Sequence, residues 1–194
     1  MFYSFEVMKP VVHPKAYVHE RATIIGDVWI GADVYIGPGA VLRGDWGRLT
    51  VARGSNVQEN CIIHVFPGKD VLLKEGSHIG HGAVIHGATI EPNCLIGMNA
   101  VVMDDAVIGK ESIVGALTFI KQGTQVPQRS VYAGNPGKKV KDVSDEMLKW
   151  KTEGTQWYKN LPESFRSSLS SCEPLIQDDR NRPRAKGGFS MLKK

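Results

Sequence analysis

Four of the chain's six histidines fall within residues 63–87: His64, His78, His81 and His86. Neutral imidazole is the commonest protein ligand for zinc. Three imidazoles around one ion leave a fourth tetrahedral position for water or substrate. Zinc held this way lowers the pKa of water toward ~7, which suits hydrolysis at neutral pH. A single histidine is more often structural than a ligand. The chain around these four must therefore be placed in space before any is assigned.

That chain is periodic. From Val18 an aliphatic residue recurs every six positions: Val18, Ile24, Ile30, Ile36, Leu42. Small residues follow four later, at Ala22, Val28, Val34 and Ala40. The phase resets at Val51, Val57, Ile63, and again at Leu73, Ile79, Ile85. From Ile90 it runs through Ile96, Val102, Ile108, Val114, Ile120 and Val126 to Tyr132. So short a period is the signature of a parallel β-helix, each hexad being a short strand and a turn. It resembles the hexapeptide-repeat left-handed β-helix, a triangular prism with three hexads per coil. The left hand and the coil size are what that resemblance implies. Cys61 and Cys94 take small-residue positions and read as core thiols.

The resets mark insertions. Three extra residues bulge around Asp45-Trp46-Gly47 and four form a loop around Phe66-Pro67-Gly68-Lys69. One residue is missing after His86. With three hexads per coil, Leu42, Ile63 and Ile85 share a face one coil apart. His64 and His86 each follow their aliphatic residue, so they stack at the ~4.8 Å spacing of neighbouring strands and can share one ion. His81 falls on the preceding face, near the opposite edge. It reaches such an ion only from a neighbouring chain, which predicts a cyclic homotrimer with shared metal sites. His78, His13 and His19 read as surface or fold residues. Arg43 and Asp45 suit an ion pair that orients a ligand or a neighbouring chain. Gln58, on the face of His81, is placed to orient metal-bound solvent or to satisfy corner backbone.

At these residues the chain resembles the γ-class carbonic anhydrase family, over about residues 12–136. The motifs are Arg43-Gly44-Asp45, Asn56-Val57-Gln58, His64, Ile79-Gly80-His81-Gly82, His86-Gly87 and Gly97-Met98-Asn99-Ala100. The resemblance implies zinc, or Fe²⁺ or Co²⁺, held by His64, His81 and His86, with one histidine from the adjacent subunit. It further implies an Arg43–Asp45 pair across the interface, Gln58 at the metal-bound solvent with Asn56 beside it, and Tyr132 and Asn135 approaching the site. The efficient archaeal members carry carboxylates where Trp46, Val65 and Phe66 stand here. These three residues are expected to form an apolar substrate rim instead.

After Pro136 the period stops. Ser144-Asp145-Glu146 reads as an N-cap with acids in the first turn. Val143, Met147, Trp150, Gly154, Trp157 and Leu161 then mark one apolar helix face, with Pro162 kinking or restarting the helix. The expected layout is an N-terminal segment over residues 1–17, a β-helix over 18–136, a helical segment over 137–171 and a basic, flexible tail over 172–194. The fold class is all-β with a C-terminal α-helix packed along the prism. Cys172-Glu173-Pro174-Leu175 and Asn181-Arg182-Pro183-Arg184 resemble the subgroup encoded with phenylacetate-degradation and carnitine-metabolism enzymes.

The formal net charge is +4, but six cations and no acid follow Asp179, which leaves −2 on the rest. The basicity belongs to the tail, so nucleic acid is not an expected partner. No apolar run suits a membrane span, and the N-terminus lacks the pattern of a signal peptide. Three cysteines form no framework and point to a reducing cytoplasm. The functional expectation is a metal-dependent thioesterase that cleaves acyl-coenzyme A thioesters with zinc-activated water at trimer interfaces, the activity that resemblance to the phenylacetate-degradation branch implies. A γ-class carbonic anhydrase hydrating CO₂ is the alternative. A hexapeptide-repeat acyltransferase with a histidine base and no metal is a further one, and a scaffold in which metal only joins the trimer is the last.

Overall fold

A computed structural model of the chain describes residues 1–177. It is a left-handed parallel β-helix with one C-terminal helix. The six-residue rhythm sets its section. Aliphatic residues point inward from each short strand, and three columns of them line the interior. One column runs Ile24, Leu42, Ile63, Ile85, Val102, Ile120, each paired in parallel with the next. A second runs Ile30, Val51, Leu73, Ile90, Ile108, Val126. The third runs Val18, Ile36, Val57, Ile79, Ile96, Val114, Tyr132. All but Val18 and Tyr132 are buried. Cys61 and Cys94 are buried in the same core, as their positions in the repeat predict. Each aliphatic side chain taken fully out of water contributes ~1.5–3 kcal/mol.

The pattern extends further back than Val18. Strand Val11–Val12 pairs with Thr23–Ile30, and Phe2–Tyr3 pairs with the same strand. The insertion after Leu42 is carried within one long strand, Val41–Val51, whose register against Thr23–Ile30 shifts between Gly26 and Val28. It leans on the second insertion. Gly68 N donates to Trp46 O at 3.2 Å, and a Cβ on Gly47 would stand 1.8 Å from Lys69 O. Only glycine lets the two insertions close on each other there.

After the prism, strand Lys138–Asp142 turns back antiparallel along Ser130–Ala133, an element the hexad period gives no sign of. The helix Asp145–Ser168 begins on Ser144, whose hydroxyl accepts from Met147 N. It is a single helix through Pro162, not one restarted there. Proline costs a helix one internal hydrogen bond. Here the turns on either side are pinned by Tyr158 and Phe165 packing on Tyr35, itself stacked on Tyr17. The docked face is also rotated from the expected one. Lys151, Thr155 and Pro162 are buried, while Trp157 is 56% exposed. No helix among the described residues is long and apolar enough to cross a membrane. The basic tail expected over residues 172–194 lies, from residue 178 onward, outside the described residues.

Candidate metal centre

Strands Ile62–His64 and Val84–His86 are adjacent and in register, so His64 pairs directly with His86. The two rings sit 5.2 Å apart between centroids. Each ring has one nitrogen engaged by a carboxylate. Asp45 Oδ1 lies 3.1 Å from His64 Nε2, and Asp104 Oδ1 lies 2.7 Å from His86 Nδ1. A carboxylate accepts, so these contacts place the ring protons on His64 Nε2 and His86 Nδ1. The lone pairs are then left on His64 Nδ1 and His86 Nε2, which face each other at 3.3 Å. Two nitrogens bound ~2.0–2.1 Å from a tetrahedral zinc stand ~3.4 Å apart. The donor set and its spacing therefore fit a shared metal ion. A carboxylate on the far nitrogen is also how ligating imidazoles are commonly oriented.

Arg43 completes this arrangement. Its NH1 donates to Asp45 Oδ2 at 2.6 Å, its NH2 lies 3.3 Å from His64 Nδ1, and its guanidinium sits over the Trp46 ring. The Arg43–Asp45 pair is thus made within one chain. Burial raises the Asp45 carboxyl, but hydrogen bonds from its own backbone, His64 and Arg43 outweigh this and hold it below the usual carboxylate range. Burial, partly offset by the Asp45 hydrogen bond and aided by the Arg43 charge, holds His64 below the usual imidazole value. This shift favours the neutral ring that a metal ligand must present.

His81 stands on another edge, as its position in the repeat predicts, with its side chain 47% exposed. Its Nδ1 lies 2.5 Å from Glu59 Oε2, and Glu59 Oε1 accepts from Tyr35 OH at 2.8 Å. With Nδ1 engaged in this way, the lone pair of the neutral ring falls on His81 Nε2. No group of three His, Cys, Asp or Glu side chains gathers around one point among the described residues. Within one chain the centre holds two of the three expected ligands. Glu59 and Asp104 were missed from sequence. The signal available was position: each stands one coil from its histidine, Glu59 one layer before His81 and Asp104 one layer after His86.

The remaining site residues fall differently. Trp46 and Phe66 flank the histidines, with ring centroids 5.1 Å from His64 and 4.8 Å from His86. Both are about half exposed and form an apolar rim. Val65 does not belong to that rim. It is fully buried in the prism core, because strand alternation turns it inward between its exposed neighbour and His64. Gln58 and Asn56 are buried, and Gln58 Nε2 lies 3.0 Å from Asn56 Oδ1 and 2.6 Å from His78 Nε2. His78 is therefore a fold residue and not a surface one. It packs against Tyr158 of the helix, and burial lowers its pKa to about 3. Tyr132 fills the inward position of the last coil, paired with Val114. Gly134 and Gly137 bond to Phe119, so Asn135 lies three layers, ~14 Å, beyond the strand of His86. The structure brings neither Tyr132 nor Asn135 to the histidines of the same chain.

The bacterial transferase hexapeptide (six repeats) family model matches residues 9–44 and 87–122. The carnitine operon protein CaiE of Salmonella agona is 48% identical over 96% of this chain and 94% of its own length. A solved Bacillus cereus protein, named as a candidate acetyltransferase, superposes with a TM-score of 0.84 at 28% identity, covering 86% of this chain and 96% of that one. A hexapeptide transferase family protein from Anaplasma phagocytophilum gives 0.82 at 30% identity, covering 84% and 97%.

Proposed function

Given that the chain belongs to the hexapeptide-repeat family, in the group of the carnitine operon proteins CaiE, we propose that it is a metal-dependent hydrolase of acyl-coenzyme A thioesters. The observation that carries this reading is the 3.3 Å approach of two carboxylate-oriented histidine nitrogens. His64 and His86 of one subunit, with His81 of a neighbouring copy, would hold the ion. Zinc suits this all-nitrogen set, with Fe²⁺ or Co²⁺ as alternatives, and such an ion supplies Lewis acidity and an acidified water. The corner that carries His81 also exposes Met98 and Leu117, which suits it to pack against a second copy in a homotrimer.

The chain's own groups do the rest. Asp45, Asp104 and Glu59 each hold a proton on the far nitrogen of one histidine and so keep its lone pair directed. Arg43 keeps Asp45 charged. Trp46 and Phe66 offer an apolar surface beside the histidines, which favours an acyl thioester over CO₂. Each CO₂ hydrated must lose a proton to bulk solvent, and this rim has no carboxylate to carry it. Acyl transfer is a second reading, favoured by the names of the two solved relatives. It would share the acyl-coenzyme A but require an acceptor and no metal.

A free-thiol assay over a panel of acyl-coenzyme A esters, run beside stopped-flow CO₂ hydration, tests the reading. Metal-dependent thiol release without an added acceptor is expected, with slow, buffer-dependent CO₂ hydration. Trp46→Glu should raise CO₂ hydration and raise KM for long acyl thioesters, since it exchanges apolar contact for a proton acceptor. Fast, buffer-independent CO₂ hydration with no thiol release would make the chain a carbonic anhydrase. Thiol release that needs an acceptor and survives metal removal would make it a transferase.

A further inference from the structure

A chamber of about 450 Å³ lies between the prism and the helix Asp145–Ser168. This is within the ~300–1,000 Å³ range of small-molecule sites. Its walls are the side chains of Leu95 and Ile113 and the backbone around Gly97 and Gly115 from the prism, with Trp150 and Tyr158 from the helix. Ile96 and Val114 border it from the prism core, into which their side chains point. Gly154 of the helix also lines it, and its missing side chain helps leave the space. His81, Met98, Ala116 and Trp157 are the exposed lining residues and so frame its mouth.

Three polar side chains of the lining have partners of their own. Gln58 and His78 bond to each other. Lys151 lends its stem to the wall, while its Nζ turns to Gly76 O at 2.7 Å and Asn93 Oδ1 at 2.6 Å. The interior is thus apolar, and its opening lies at the one histidine the metal centre needs from a second subunit.

We infer that this chamber receives the acyl chain of the substrate: a straight apolar acyl group well longer than acetyl, entering past His81 with its thioester left at the mouth. In the trimer the chain would run from the site formed by one subunit's His64 and His86 into the chamber of the neighbour that supplies His81. Trp46 and Phe66 would then cover the coenzyme side. This inference rests on the thioesterase reading for its substrate, while the chamber itself can be probed without turnover.

Trp150 and Trp157 are built-in reporters. Titration of the purified oligomer with sodium octanoate should change tryptophan fluorescence saturably, and sodium acetate should not. Gly154→Leu should weaken octanoate at least tenfold and keep its metal content. Leucine fills the chamber from a helical position where it is a better helix former than glycine. Met98→Trp, at the mouth and outside the core, should weaken octanoate similarly while light scattering still gives the parent oligomer mass, a check needed because Met98 also faces the neighbouring copy. Among thioesters, both variants should lower the ratio of octanoyl- to acetyl-coenzyme A kcat/KM at least tenfold. Octanoate binding that is absent, or equal in all three proteins, overturns the chamber as an acyl site, as does a neighbouring subunit's side chain found filling it. Octanoate binding that is lost in both variants, in a protein that hydrolyses no thioester, would instead uphold the chamber and reject the thioesterase reading.

Discussion

Replacing His64, His81 or His86 with alanine is expected to strip the protein of metal and of thioesterase activity together. On the proposed reading each removes one of three protein ligands, and a site that depends on all three should lose its ion. The effect should be largest for His64 and His86, whose Nδ1 and Nε2 already stand 3.3 Å apart. His13→Ala is the control: that side chain accepts from Lys15 N in an exposed turn, and its loss should change neither metal content nor rate. Metal content by plasma mass spectrometry, read beside circular dichroism, separates loss of the ion from loss of the fold. A His81→Ala protein that keeps a full metal complement would remove His81 from the ligand set.

The next largest effects are expected at the carboxylates behind the histidines. Asp104→Asn replaces an acceptor-only partner of His86 Nδ1 with an amide able to present a donor. The ring can then settle in the other tautomer, with its proton on the nitrogen meant for the metal. Glu59→Gln does the same to His81. Loss of such a partner typically costs ~10–100-fold in metal affinity or activity. Competition against a chromophoric zinc chelator would measure it. The two losses should differ in one respect. Glu59 also accepts from Tyr35 OH, so Glu59→Gln should lower thermal stability as well. Zinc affinity within twofold of the parent in both variants would show that the carboxylates do not orient the ligands.

How far the sequence reveals this site follows from which forces leave a periodic mark. Inward positions of the prism must be aliphatic. The columns through Ile63 and Ile85 are therefore visible as a six-residue rhythm, and the stacking of His64 on His86 follows by register alone. The separation of His81 onto another edge is legible for the same reason. Asp104 and Glu59 leave no such mark, since an acid at a corner of a coil looks like any solvated surface acid until its neighbour one layer away is known. Val65 was misplaced because the insertion after His64 breaks the rhythm that would have shown it facing inward. The rotation of the helix was hidden for a different reason. Lys151 is polar by composition but docks by its stem and finds acceptors in Gly76 and Asn93, a solution that apolar periodicity does not register. Strand Lys138–Asp142 is exposed along its length, so no burial pattern announces it.

The central claim is that each metal site is built from two subunits, His64 and His86 from one and His81 from the next. Complementation between two defective chains tests it most directly. The His81→Ala chain retains the His64–His86 pair, and the His64→Ala/His86→Ala chain retains His81. Expressed alone, each should form a metal-free oligomer near three times the 21.3 kDa chain mass. Co-expressed in equal amounts, they should regain zinc at about one quarter of the interfaces, the share in which the two intact halves meet in a randomly assembled cyclic trimer. Zinc recovered at that level, with thiol release in proportion, is the predicted result. Mixed oligomers that stay free of zinc, or a His81→Ala protein that binds it fully on its own, would contradict the shared site.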